Sequence, residues 1–69
     1  MIEVFKTNVE EIVQAKKIID ILLERFPGNK INFDLHDCDK ILRVEGKSFC
    51  SETIMTLVNE NGFTCDVLE

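Results

Sequence analysis

Residues 7–28, TNVEEIVQAKKIIDILLERFPG, decide the fold because they contain the clearest helix signal of the chain. Apolar side chains recur there every three or four positions, which places them on one face of a helix. They are Ile12, Ala15, Ile19, Leu22 and Phe26, with Ile18 and Leu23 beside them. Two residue pairs at the start have capping-box spacing, Thr7 with Glu10 and Asn8 with Glu11. Pro27-Gly28 ends the segment, so the stretch predicts an amphipathic helix.

The first strand is predicted at residues 2–7, IEVFKT, directly before this helix. Because successive side chains of a strand point to opposite faces, Ile2 and Val4 share one face and Glu3 and Phe5 share the other. We assign Ile2 and Val4 to the core. Glu3 and Phe5 are then expected on the face that no helix covers.

A hairpin, a second helix and a last strand follow the first helix. Residues 31–36 and 41–45 read as two strands, joined by the turn residues Asp37-Cys38-Asp39. The second helix is expected after Ser48 or Ser51, and Asn61-Gly62 ends it. Residues 63–68 alternate again and predict the last strand.

The resulting order of elements is β-α-β-β-α-β, and each helix has a single apolar stripe to bury. The sequence therefore predicts an α+β fold: a ferredoxin-like split β-α-β-β-α-β sandwich with a four-stranded antiparallel sheet and two helices on one face. A single domain is expected over residues 1–69. Chain reversals should bring residues 7–9, 36–39 and 61–63 to the same end, where a small ligand would most naturally bind.

Composition excludes several classes of function. The chain of 69 residues has a net charge of −5 and only one adjacent pair of basic residues, Lys16-Lys17, which argues against nucleic acid as a partner. No segment approaches the roughly 18 uninterrupted apolar residues of a membrane span. An odd count of three cysteines fits a reducing compartment, and the first residues lack the pattern of a signal peptide, so we expect a cytoplasmic protein.

Several short phrases resemble the heavy-metal-associated domain of copper chaperones and copper-pumping ATPases. They are Phe26-Pro27-Gly28, Val44-Glu45-Gly46, Gly62-Phe63 and Val67-Leu68. The resemblance covers nearly the whole chain and implies the same β-α-β-β-α-β fold. In that family a Cys-x-x-Cys pair at the first loop binds Cu(I), which requires two soft sulfur ligands. The corresponding stretch here, residues 8–13, has no cysteine, so the resemblance supports the fold and argues against the copper chemistry.

The hairpin turn offers candidate ligands for a different metal site. His36 and Cys38 are two residues apart, so alternation could point one nitrogen and one sulfur ligand to the same side, for Zn or Cu, with an aspartate of the turn as a third ligand. The alternative is a solvated turn whose aspartates bond the local backbone, which needs no ion. A zinc site usually has four ligands, so the sequence favours the solvated turn and no cofactor is expected.

The other cysteines give no catalytic pattern. Cys50 lies near the start of the second helix, where the helix dipole can lower the pKa of a thiol, but no base is evident beside it. Cys65 alternates with Phe63 and Val67 and is expected in the core. Without a nucleophile–base pair or a cofactor motif, the chain is not expected to be an enzyme.

The uncovered sheet face is the candidate interaction surface. Its expected apolar members are Phe5, Ile41 and Leu68, with Arg43 among acidic neighbours. Exposed apolar side chains on a sheet mark a partner or a self-association surface. We therefore expect a small binding or interaction module that has lost Cu(I)-chaperone activity. The alternatives are a metal carrier with a site near His36 and Cys38, and a ligand-sensing regulatory domain, since such domains share this order of elements.

Overall fold

A computed structural model describes residues 1–68 and contains four strands and two helices. They are β1 (Ile2–Thr7), α1 (Ile12–Arg25), β2 (Lys30–Asp34), β3 (Ile41–Glu45), α2 (Ser51–Glu60) and β4 (Cys65–Val67). The strands form one antiparallel sheet in the order β2-β3-β1-β4. The predicted α+β fold with a four-stranded antiparallel sheet and two helices is therefore confirmed.

The strand register divides the side chains between two faces. Phe5 lies opposite Leu42 on β3 and Val67 on β4, and Leu42 lies opposite Phe33 on β2. Directly opposed residues share a face. The buried cluster contains residues of this face together with residues of both helices, namely Phe5, Ile31, Leu42, Val44, Cys65, Ala15, Ile18, Leu22, Ile54 and Val58. We call this the covered face and the opposite one the helix-free face.

The face assignment predicted for β1 is wrong. Phe5 is fully buried in the core, whereas Ile2 is 62% exposed and Val4 lies on the helix-free face. Both faces of this strand carry apolar side chains, so alternation alone does not decide which one is buried. The aromatic ring has the larger area to bury, and it takes the covered face. Phe5 is therefore not part of an exposed interaction surface.

The start of α1 also differs from the prediction. The helix begins at Ile12 and is capped by Glu11, whose backbone N–H donates to Oε1 of Gln14 at 3.4 Å. Ile12, expected in the core, is 65% exposed because it lies on the first turn. Val9 of the preceding loop is completely buried in its place.

The start of α2 lacks the predicted hydroxyl cap. Cys50 occupies the N-cap position with extended backbone, and the helix begins at Ser51. The Ser51 hydroxyl instead donates to Oε1 of Glu3 on β1 at 3.2 Å. This bond ties the second helix to the far end of a central strand.

Candidate functional site

Three connections meet at one end of the sheet, as the predicted chain reversals require. The Thr7 N–H donates to the Asp39 carbonyl at 2.9 Å, and its hydroxyl donates to the Lys40 carbonyl at 2.6 Å. The Thr64 N–H donates to Oδ1 of Asn8 at 2.8 Å. The first loop is therefore bonded to both the hairpin turn and the last loop.

The hairpin turn uses its acidic side chains for local backbone bonding. Oδ1 of Asp34 accepts from the His36 N–H at 3.1 Å, and Oδ1 of Asp37 accepts from the Asp39 N–H at 2.9 Å. These are the short-range bonds by which aspartate stabilises turns. Nζ of Lys40 donates to the Leu35 carbonyl at 3.1 Å and closes the turn from the other side.

The two predicted metal ligands occupy different surroundings. Within the part of the chain that the structure describes, Asp37, Cys38 and Asp39 offer ligand atoms that all lie within 4.8 Å of one another. His36 is not in that group, and it lines a groove between α1 and β2 instead. The group combines two hard carboxylates with one soft thiol on an exposed turn, a donor set of the mixed kind that Zn(II) accepts.

A recess of about 400 Å³ lies on the helix-free face. Its lining residues are Val4, Asn32, Phe33, Asp34, Asp37, Ile41, Arg43 and Leu68. It thus contains three of the four predicted interaction residues, Ile41, Arg43 and Leu68. Ile41 is only 9% exposed and forms the floor, whereas Leu68 is 38% exposed at the rim. We call this feature the sheet recess.

Sequence reasoning missed three members of the sheet recess. Alternation assigns Val4 and Phe33 to the core, and Asp37 is expected in the turn, as a backbone-bonding residue or a third metal ligand. Register explains why Val4 belongs here, since it lies directly opposite Arg43, which lies opposite Asn32. The sequence pattern of a single strand does not show which residues lie opposite Val4, because that depends on how the strands align.

The three cysteines differ in exposure and acidity. Cys65 is buried on the covered face, and burial raises the pKa of its thiol to about 12. Cys50 is exposed. Hydrogen bonds to Thr53, chiefly to its side chain and less to its backbone, hold the pKa of the Cys50 thiol below its ordinary value. Cys38 is exposed on the turn. Cys50 therefore has the chemistry of a mildly acidic surface thiol, and Cys65 that of a core residue.

The chain matches no family model, no curated protein and no solved structure. No helix among residues 1–68 is long and apolar enough to cross a membrane.

Proposed function

We propose that this chain is a small cytoplasmic protein-interaction module with a ferredoxin-like, heavy-metal-associated-like fold. The observation that carries the proposal is the sheet recess. It places the apolar side chains of Val4, Ile41 and Leu68 beside the guanidinium of Arg43 on a face that neither helix covers. An apolar floor with a charged rim is the usual arrangement of a protein-binding site.

The opening loop supports the further proposal that Cu(I)-chaperone activity is lost. Val9 fills the core, and its N–H donates to the Thr7 hydroxyl at 3.2 Å. Glu11 caps α1. The loop residues thus serve folding, and none of them offers a sulfur ligand for a soft ion. The free state of Cys38, Cys50 and Cys65 agrees with a reducing compartment.

The chemistry of the sheet recess indicates what a partner must present. Arg43 is exposed near the centre and favours a carboxylate, to which it can donate two parallel hydrogen bonds. The apolar floor beside it suits an aliphatic or aromatic side chain. The expected partner is therefore a protein segment with an apolar anchor next to an aspartate or glutamate.

The test compares recess variants with a variant on another surface. Arg43→Glu and Leu68→Asp are placed in the sheet recess, and Lys17→Glu changes one exposed charge on α1. Each tagged chain is used for affinity capture, and the captured protein is then purified for isothermal titration. We expect at least tenfold weaker binding for both recess variants and unchanged binding for Lys17→Glu.

Thermal unfolding followed by circular dichroism controls for folding in these variants. If all three variants bind the purified partner as the parent chain does, the sheet recess is not the binding site and the proposal is wrong.

A metal carrier is the second candidate function, favoured by the convergence of Asp37, Cys38 and Asp39. Elemental analysis of protein purified without a chelator should then find Zn or Cu in stoichiometric amount. In titrations with Zn(II) and Cu(I), Cys38→Ser should weaken binding by more than tenfold, and His36→Ala should weaken it further if His36 supplies a ligand. Binding that neither substitution changes would contradict a site at this turn.

A further inference from the structure

Strand β2 forms one edge of the sheet, and the hydrogen-bonding directions of its backbone follow from those of β1. The Leu68 N–H donates to the Val4 carbonyl at 2.8 Å, so Val4 directs its backbone groups toward β4. These groups alternate in direction along a strand, so Phe5 directs its own toward Leu42 on β3. The backbone N–H and C=O of Leu42 therefore point toward β1, and those of the adjacent Arg43 point toward β2.

The same alternation identifies the free backbone groups of β2. Arg43 lies opposite Asn32, so Asn32 directs its N–H and C=O toward β3. Its neighbours Ile31 and Phe33 direct theirs to the open edge, since β3 is the only strand beside β2 among residues 1–68. The five residues Lys30–Asp34 contain no proline, which blocks such an edge because it lacks a backbone N–H.

The sequence of this edge, KINFD, is complementary to itself when a second copy runs antiparallel to it. Centred on Asn32, the pairing sets Lys30 of one copy against Asp34 of the other, on the helix-free face. It sets Ile31 against Phe33 on the covered face. Both charged pairs join opposite charges and both apolar pairs join a β-branched to an aromatic side chain, which are favourable cross-strand combinations.

A groove beside this edge provides apolar surface for the same contact. It lies between α1 and β2, has a volume of about 330 Å³ and is lined largely by apolar side chains, including Ile12, Ala15, Ile19, Phe33 and Leu35. Ile12 at its border is 65% exposed. A two-fold axis midway between the two β2 strands, beside Asn32, would place the grooves of the two copies next to each other on the same face of the joined sheet.

We propose that two copies of this chain associate through β2 in an antiparallel, two-fold symmetric pair, which joins two four-stranded sheets into one of eight strands. Ile31 of each copy exchanges both backbone hydrogen bonds with Phe33 of the other. Asn32 meets Asn32 of the second copy in a non-hydrogen-bonded pair, with Cα atoms about 4.5 Å apart. Asn32, Phe33 and Asp34 of this contact also line one side of the sheet recess, whereas Val4, Ile41, Arg43 and Leu68 take no part in it. The proposed pairing rests on the edge of β2 and does not depend on the proposed function.

Charge reversal tests the register. In Lys30→Asp, and separately in Asp34→Lys, each charged pair joins like charges, so the dissociation constant measured by sedimentation equilibrium should rise about tenfold or more. The double variant Lys30→Asp/Asp34→Lys restores opposite charges and should recover the parent value. Within one copy, residue 30 lies opposite Glu45, so the Lys30→Asp side chain repels Glu45 in the single and the double variant alike. Recovery of association in the double variant therefore cannot come from a change in that contact.

Mixing the two single variants gives a sharper result. A Lys30→Asp chain and an Asp34→Lys chain complement each other at both charged pairs, so the mixture should associate with about the parent dissociation constant, while each variant alone associates about tenfold or more weakly. Equal association of all variants would overturn the proposed register.

Cross-linking tests the two-fold axis directly. In a Cys38→Ser/Cys50→Ser background, which removes the exposed thiols, Asn32→Cys should form an intermolecular disulfide on mild oxidation, since its Cα separation from the second copy suits one. The matched control Lys30→Cys faces Asp34 of the second copy and should not cross-link. A chain that sediments as a monomer at millimolar concentration, or equal cross-linking of the two cysteine variants, would overturn the proposal.

Discussion

The two faces of the sheet differ in what holds their side chains in place. On the covered face, Phe5, Leu42 and Val44 are fully buried beneath both helices. On the helix-free face, Arg43 and Leu68 are exposed around the nearly buried Ile41. The comparison teaches that one surface of a very small domain can supply its stability and leave the other free for binding.

The largest expected effect separates the two faces. Phe5→Ala should lower the free energy of unfolding by about 3–5 kcal/mol, because it removes a buried ring and leaves a cavity. Leu68→Ala on the helix-free face should change it by less than about 1 kcal/mol. Urea unfolding followed by circular dichroism measures both, and similar losses for the two variants would erase the distinction.

A smaller effect is expected at the floor of the sheet recess. Ile41→Ala should cost about 2 kcal/mol, the low end for such a truncation, because the side chain is 9% exposed but packs under no helix. Urea unfolding of the Ile41→Ala variant measures this loss of stability. A loss as large as that of Phe5→Ala would show that the recess floor belongs to the main core.

The buried hydroxyl of Thr7 tests whether polar groups also stabilise the covered face. Thr7→Val keeps the shape of the side chain but removes the bonds to the Lys40 carbonyl and the Val9 N–H, so we expect a loss of about 1–2 kcal/mol. Thr7→Ser keeps the hydroxyl and is the matched control. If Thr7→Val unfolds at the same urea concentration as the parent chain, these bonds contribute nothing net.

The last expected effect appears only at alkaline pH. Burial raises the pKa of Cys65 from 9.0 to about 12, so the folded state favours the protonated thiol. The unfolded chain releases this proton first as the pH rises, and the corresponding stability should be lost between about pH 9 and 12. Comparing the parent chain with Cys65→Val across that range isolates the contribution. If the free energy of unfolding of both proteins changes identically with pH, the Cys65 thiol makes no such contribution.

Local periodicity was sufficient to predict the elements of the fold. The helix stripe of α1 and the Asp37-Cys38-Asp39 turn identify their segments, because each has a signal that only one local structure satisfies. The face of β1 could not be predicted in the same way, because both Val4 and Phe5 are apolar and only tertiary packing decides between them.

The candidate sites were less predictable than the fold. Ile41, Arg43 and Leu68 were found from alternation, but Val4 joins them through a register that a single strand does not encode. The separation of His36 from the Asp37-Cys38-Asp39 group depends on turn geometry, in which Asp34 bonds the His36 N–H. Spacing along the chain does not contain that conformation.

The buried Val9 has a practical consequence for anyone who uses this domain as a scaffold. A peptide inserted at residues 8–10 would pull an anchoring side chain out of the interior and disturb the loop that Thr7 joins to the hairpin. Pro27 and Gly28 are exposed, and Gly28 has open space around it. Foreign sequence is therefore best grafted at that bend, at the opposite end of α1 from Val9.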